Sequence, residues 1–519
     1  WDVLKPVPLE TCRKQGRILP WIDFRASMDA VFTQSLRAGA ERVHQLDPQA
    51  RVGFQPDAYP PSVRSGLQWS QLCAAMDYVV VPNDPNAIRR LQSFHGIHPW
   101  SGVVVDGSLF QRTADQARHF AWRCALEQLP AIWLNEPFAD PATRLLGPLG
   151  AASPVFTAFG DARSEINRGL GALLLRATPY HNNIAFLDTP ESNMLAAVLP
   201  ENKVPQQKSE TWFADTLNVL GFAPVLRSLL PELGQTLDDI NTVILADTQV
   251  LTEVQRSALT EFHKGGGLIV ASRLPNSIDA SPVETGPGAL SFLHPLRKTD
   301  DAPELWCNRP VWARKFDATW ATGQQLEALL LRAGNLPMPK FKFATKQRDL
   351  LRRYYYAYGA ATIVAFLPDQ DLTRPLKQAS IPIPKGHYAY DLRSPEPLAS
   401  RNRYHWRPMP GEAAIIAVLP YRVKELILTA PPSANSGERL SLEISLDTEG
   451  AESGPHLVSL RIEGPDGKEL AHYFQVAVAR EGRAEAFIPL AQNEAPGRYT
   501  IVATDLLSGI SQHTFVSIQ

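Results

Sequence analysis

The pattern of apolar and polar positions changes character along the chain. Over residues 1–180, helical stripes alternate with short apolar runs. Met28, Phe32, Leu36, Ala40 and Val43 recur at i, i+3 and i+4 spacing, which predicts a helix over Ser27–Leu46 ended by Asp47-Pro48. Further helices are predicted over Trp69–Met76, Ile88–Ser93 and Ala114–Leu129. Between them, Arg51–Gln55, Tyr78–Val81, Gly102–Asp106 and Ala131–Leu134 read as buried strands. Continuous apolar strands separated by helices predict a parallel sheet covered on both faces. Four β/α units with Pro, Asn, Asp and Glu at the strand ends make half of a (β/α)8 barrel, whose chemistry sits on the C-terminal rim.

Residues 181–340 read as a second α/β domain of flavodoxin-like or amidotransferase-like pattern. Its strands are Ile184–Leu187, Pro224–Arg227, Thr242–Ala246 and Leu268–Ala271, with helices over Glu210–Leu220 and Thr252–Lys264. Gly265-Gly266-Gly267 follows a helix and precedes a strand, the reverse of a phosphate loop, so it reads as a helix C-cap. Residues 341–432 turn to β, with strands over Arg353–Tyr358, Ala361–Phe366 and Ala413–Leu419. After Pro431-Pro432, residues 433–519 read as an Ig-like β-sandwich. Six runs, Leu440–Leu446, His456–Glu463, Ala471–Val478, Ala484–Ile488, Tyr499–Thr504 and His513–Ile518, lie at roughly ten-residue spacing.

Composition narrows the function. The 519 residues are 44% hydrophobic and 20% charged, which excludes a mainly disordered chain. The balance of 51 basic against 53 acidic residues, with no basic block, argues against nucleic acid or an anionic membrane as partner. No run of 18 apolar residues predicts a membrane span. The 44 prolines and 11 tryptophans suit a loop-rich, carbohydrate-handling or extracytoplasmic protein. The four cysteines, Cys12, Cys73, Cys124 and Cys307, form no C-x-x-C pair or zinc pattern. They read as buried thiols, with one disulfide among the first three left open. The start at Trp1, without Met or leader, is what a processed or truncated product is expected to show.

Several stretches resemble a known family. Trp21-Ile-Asp-Phe-Arg25, Met28-Asp29, Asp47-Pro-Gln-Ala-Arg-Val-Gly53 and Trp69…Met76-Asp77 resemble the second half of the catalytic barrel of glycoside hydrolase family 42, the β-galactosidase-like enzymes. Ile184-Ala-Phe-Leu187…Ser192, Leu220-Gly-Phe222, Leu251-Thr252…Leu259…Phe262 and Gly265–Ile269 resemble that family's trimerisation domain. Tyr390–Arg393, Leu419–Val423 and Gly464–Lys468 are similar to β domains that follow it in large bacterial relatives. The resemblance implies carbohydrate as ligand, no cofactor, a homo-oligomer such as a trimer, and a missing N-terminal barrel half upstream or on another chain. It also leans toward an extracellular or periplasmic location, with the cytoplasm left open.

Retaining glycosidases use two carboxyl groups about 5–5.5 Å apart, an acid/base and a nucleophile. The resemblance places Trp1 after the fourth barrel strand, so the acid/base is expected to be absent from this chain. Strand seven then ends in Asp106-Gly107, where the family carries Glu. Asp106 is the candidate nucleophile, its carboxylate set back by about a methylene; the competing role is a rim Asp that caps the next turn. Glu136, in Asn135-Glu136-Pro137, is the second catalytic candidate, as a rim residue that binds a hydroxyl or tunes a partner. Tyr59, Trp69, Trp100 and Trp133 are aromatics near the expected rim, and Tyr59, Trp100 and Trp133 are the candidate substrate contacts. His95 and His98 have metal-pair spacing, but Gly96 and Pro99 oppose a helix there and no third ligand is evident, so no metal is expected. Two readings compete: a β-galactosidase-type hydrolase, and an inactive relative that binds glycans or serves assembly. An amidotransferase is disfavoured because residues 181–340 lack a G-x-C or G-x-S elbow.

Overall fold

A computed structural model describes residues 8–15, 18–55, 68–105, 113–134, 153–198, 206–229, 233–277, 290–296, 305–309, 321–337, 351–394 and 403–519. The protein is a mixed α/β molecule with several sheets, and its chain divides into two compact units. The first comprises residues 1–105, 131–133 and 181–339; the second comprises 106–130, 134–180 and 340–519.

The first unit holds two sheets. Strands β1 (Gly53–Phe54), β2 (Tyr78–Pro82), β3 (Gly102–Val105) and β4 (Ala131–Leu134) pair in sequence order. β1–β2 and β2–β3 are parallel. The helix expected from Ser27 starts eight residues earlier and runs Leu19–Leu46, because Pro20 sits in the first turn, where its missing N–H costs nothing. The helix after β2, Pro85–Phe94, starts on Asp84, whose carboxylate accepts from the amides of Asn86 and Ala87 at 2.9 and 3.1 Å. Asp77 ties β1 to β2: its carboxylate accepts from the Val52 amide and meets His44 Nε2, both at 2.7 Å.

The second sheet of this unit contains β5 (Ile184–Leu187), β6 (Val225–Arg227), β7 (Thr242–Leu245), β8 (Leu268–Ala271), β9 (His294–Pro295) and β10 (Trp306–Cys307), in the order β9-β10-β8-β7-β5-β6. β6, β5, β7 and β8 are parallel; β10 joins antiparallel. Alternate residues feed separate cores. Ile184, Phe186, Ile244, Leu268 and Val270 pack with Phe213 and Leu217, whereas Ala185, Leu187, Val243, Leu245, Ile269 and Ala271 pack with Leu259 and Leu290. Two buried faces explain the continuous apolar runs. Helix Glu253–Lys264 opens on a Thr252/Gln255 capping box and closes on the glycines, with Gly266 at φ +96°.

In the second unit, helix Ala114–Leu126 is buried nearly all round, from Ala117 to Leu126. It packs on helix Pro154–Glu165 and on the strand Ala361–Pro368. An antiparallel sheet joins β11 (Leu351–Tyr358), β12 (Ala361–Pro368), β13 (Tyr388–Asp391) and β14 (Ala414–Leu419), with Thr178–Pro179 as an edge on β11.

The C-terminal segment is a two-sheet sandwich. β15 (Tyr421–Thr429), β16 (Arg439–Gly450) and β19 (Arg483–Pro489) form one sheet. β17 (His456–Glu463), β18 (Gln475–Ala479), β20 (Gly497–Asp505) and β21 (Ser511–Ile518) form the other with Ser433–Ala434. The sandwich thus draws in a strand from before Pro431-Pro432. A buried chain crosses it: Asp505 meets His456 Nδ1 at 2.8 Å, and His456 Nε2 meets the Tyr421 hydroxyl at 2.9 Å.

All four cysteines are free and buried. Burial pushes the thiols of Cys73 and Cys124 up to about 12, so neither supplies a thiolate near neutral pH.

Candidate functional site

The C-terminal ends of β1–β4 are where a barrel places its chemistry. Asp106, Glu136 and Tyr59 lie outside the described residues. Trp69 begins helix Trp69–Ala75 and is buried as a packing residue. Among the described residues beyond β2, Asp84 is committed to its helix cap.

Trp100 and Trp133 come together, at the other end of the sheet. Trp100 immediately precedes Ser101 and β3 and is 54% exposed. Its carbonyl accepts from Trp133 Nε1 at 3.3 Å. The Trp133 ring stacks on Tyr78, with centroids 5.9 Å apart and planes 3° from parallel. Tyr78 opens β2, opposite Gly53, and a side chain on Gly53 would occupy the place of its ring. Buried Ser101 pins the strands beneath: its hydroxyl accepts from the Val79 amide at 3.1 Å and its carbonyl from the Ala131 amide at 3.3 Å. The result is a half-buried aromatic platform at the N-terminal mouth of the sheet. Tyr78 was not among the sequence candidates, because its partnership depends on strand register.

The same mouth carries histidines. Helix Pro85–Phe94 ends just before His95, and Gly96 turns the chain at φ +73°. His95 Nδ1 donates to the Cys73 carbonyl at 2.7 Å, and its ring centroid lies 5.7 Å from that of His98. Burial lowers His98 below the usual imidazole range; His95 and Arg51 add to this, and Asp77 opposes it.

The open sheet has its own conventional site. Ligands of such sheets bind beyond the strand carboxyl ends where strand order reverses, here between β5 and β7. That position is filled by internal ion pairs. Arg90 reaches Asp188, just beyond β5, at 3.4 Å and Glu210 at 3.3 Å, while Arg89 reaches Glu210 at 2.9 Å. Burial raises Asp188, with Glu210 adding and Arg90 opposing. Burial also raises Glu210, but Arg90 and Arg89 outweigh it and hold that carboxylate below its usual range. Beyond β7, Asp247 takes φ +52°, and its amide donates to Ser272 Oγ at 2.6 Å.

Among the described residues, no group of three or more His, Cys, Asp or Glu side chains is arranged to hold a metal ion, and no helix is long and apolar enough to cross a membrane.

No family model and no curated protein matches the chain. Solved structures give only low superposition scores. A β-glucosidase from Listeria innocua, in complex with laminaribiose, shares 13% identity over 87% of this chain and 69% of its own, at a TM-score of 0.18. A Salmonella α2-macroglobulin shares 14% identity over 36% of this chain, which spans 14% of it, at 0.17. The alkylpurine DNA glycosylase AlkC of Pseudomonas fluorescens shares 18% identity over 19% of this chain, which spans 30% of it, at 0.15. Scores this low carry no argument about fold or function.

Proposed function

We propose that this chain is a glycan-acting protein on a glycoside hydrolase scaffold of the β-galactosidase type, with residues 1–180 contributing the second half of a (β/α)8 barrel. The observation that carries the reading is the pairing of β1, β2, β3 and β4 in sequence order, with β1–β2 and β2–β3 parallel. A barrel wall requires sequential neighbours, whereas the open sheet of the same unit reverses its order. In this reading Asp106 stands at the nucleophile position beyond β3, and Glu136 stands beyond β4 as the second rim carboxylate. In the same reading carbohydrate CH faces stack on Tyr59, Trp100 and Trp133, the last two at the N-terminal mouth of the sheet, where they would hold a part of the glycan away from the bond cleaved at the C-terminal rim.

Turnover of chromogenic β-galactosides tests the hydrolase reading. With the missing barrel half and its acid/base supplied, the wild-type chain is expected to turn over, and Asp106→Asn and Glu136→Gln to lose at least about 100-fold. Equal turnover in wild type and Asp106→Asn removes Asp106 as nucleophile.

The second reading is a glycan-binding relative without turnover. It is favoured by Asp, not Glu, at position 106. It expects no hydrolysis, but saturable calorimetric binding of galacto-oligosaccharides that weakens in Trp133→Ala. Absence of both turnover and binding defeats both readings.

A further inference from the structure

We infer that His95 and His98 form a binding site for a divalent cation of the zinc class, at the N-terminal mouth of the β1–β4 sheet. Chain geometry brings the two rings together. The His95 amide donates to the Leu91 carbonyl at 2.9 Å, ending the helix, and the Ser101 amide donates to the His98 carbonyl at 2.9 Å, closing the following turn. Gly96, at φ +73°, supplies the reversal that a helix would not. The spacing that fails as a helical metal pair therefore succeeds as a turn.

Three observations point to a cation. First, the Nδ1 of His95 is anchored on the Cys73 carbonyl at 2.7 Å, which fixes the tautomer and leaves Nε2 with its lone pair. Ligating histidines are oriented by just such a backbone carbonyl. Second, His95 Nε2 and His98 Nδ1 are both buried and lack a hydrogen-bond partner among the described residues. Orphaned buried nitrogens on adjacent rings call for a shared partner, an ion or a water. Third, the centroids are 5.7 Å apart. Two imidazoles on one tetrahedral ion at about 2.0–2.1 Å per Zn–N bond have centroids about 5–6 Å apart.

The donor set selects the metal. Two imidazoles suit zinc, copper or nickel, whereas magnesium and calcium demand oxygen ligands. Among the described residues no third side chain completes the set, so water or an incoming ligand atom fills the remaining positions. Asp77 on one flank favours a cation and Arg51 opposes it; both lie close enough to act on His98. Exposed Ile97 and Trp100 border the turn.

The test is calorimetric titration of chelator-treated full-length protein with zinc chloride, and separately with magnesium chloride. With 12 histidines in the chain, the variants provide the subtraction. His98→Gln and His95→Gln/His98→Gln are expected to lose one zinc per chain, or to weaken it at least about tenfold, since even outer-shell partners cost roughly 10–100-fold. His405→Gln, on an exposed strand position, is expected to leave binding unchanged, and magnesium to give no heat. Zinc binding of equal stoichiometry and affinity in wild type and His98→Gln overturns the inference. Should the histidine variants misfold by circular dichroism, X-ray absorption of zinc-loaded wild type decides. Two imidazole nitrogens in the first coordination sphere support the site; an oxygen-only sphere overturns it.

Discussion

Asp29 shows how a single buried group sets a pH response. It lies on helix Leu19–Leu46, is 4% exposed, and has Arg25 at 3.7 Å. Burial raises its carboxyl to about 6 despite the Arg25 charge. The native state therefore holds this proton more tightly than the unfolded chain. Its contribution weakens as pH rises from the ordinary value near 3.8 through about 6. Asp29→Asn is expected to raise stability at pH 7 by up to about 3 kcal/mol, one pKa unit being worth about 1.4 kcal/mol, and to change little at pH 4. Urea unfolding at the two pH values checks this; equal effects at both would remove Asp29 as the cause. Asp77 has the opposite sign. Burial raises it, but the Val52 amide, His44 and Arg51 outweigh that and lower it. Its stabilisation is present above the ordinary carboxylate range and disappears as pH falls through the lowered value. A shallower loss of stability in acid is expected for Asp77→Asn.

Elements are held by contacts between distant parts of the sequence, and this decides what the sequence reveals. The open-sheet strands Ile184–Leu187 and Leu268–Ala271 were legible to the residue, because two buried faces force continuous apolar runs. β15 was not. Its buried residues Tyr421 and Val423 are out of phase with Leu426 and Leu428, since a bulge between Val423 and Glu425 shifts the register by one. The Ala471–Val478 run was read as one strand, but Ala471–Tyr473 forms a 3-10 turn before β18. Trp100 and Trp133 were singled out by residue type, whereas His95 and His98 were set aside as a metal pair. The Tyr78 stack and the imidazole anchor were not legible, since they arise across strands and helices. The Arg90 cluster was equally hidden, its partners lying 98 and 120 residues away.

Two element-level predictions follow from the same contacts. Glu210→Ala leaves Arg90 with an incomplete set of buried partners, and a loss of about 3–5 kcal/mol in urea unfolding is expected. Glu210→Gln, which keeps the shape and some hydrogen bonds, is expected to lose less. Gly102→Ala would drive a Cβ into the Ala131 carbonyl, so it is expected to destabilise β3 against β4. Accelerated hydrogen exchange at Val103–Val105 is the readout, and unchanged protection would count against the pairing.

At the scale of the whole molecule, the proposal of a β-galactosidase-type scaffold extends to its assembly: we propose that the chain forms a homo-oligomer. Mass photometry across a dilution series is expected to show a trimer; a monomer at every concentration defeats that expectation.

The division of the chain carries a separate consequence. The polypeptide passes from one unit to the other after Val105, Pro130, Trp133, Tyr180 and Pro339, which is five crossings. No single scissile bond separates such a pair. A fragment ending at residue 180 would keep Thr178–Pro179 but lose β11, its edge partner. A fragment starting at 181 would lose helix Ala114–Leu126, which packs on β12. The protein is laced rather than beaded, so nicking at one loop should leave both halves bound together, and expression as separate modules should yield insoluble pieces.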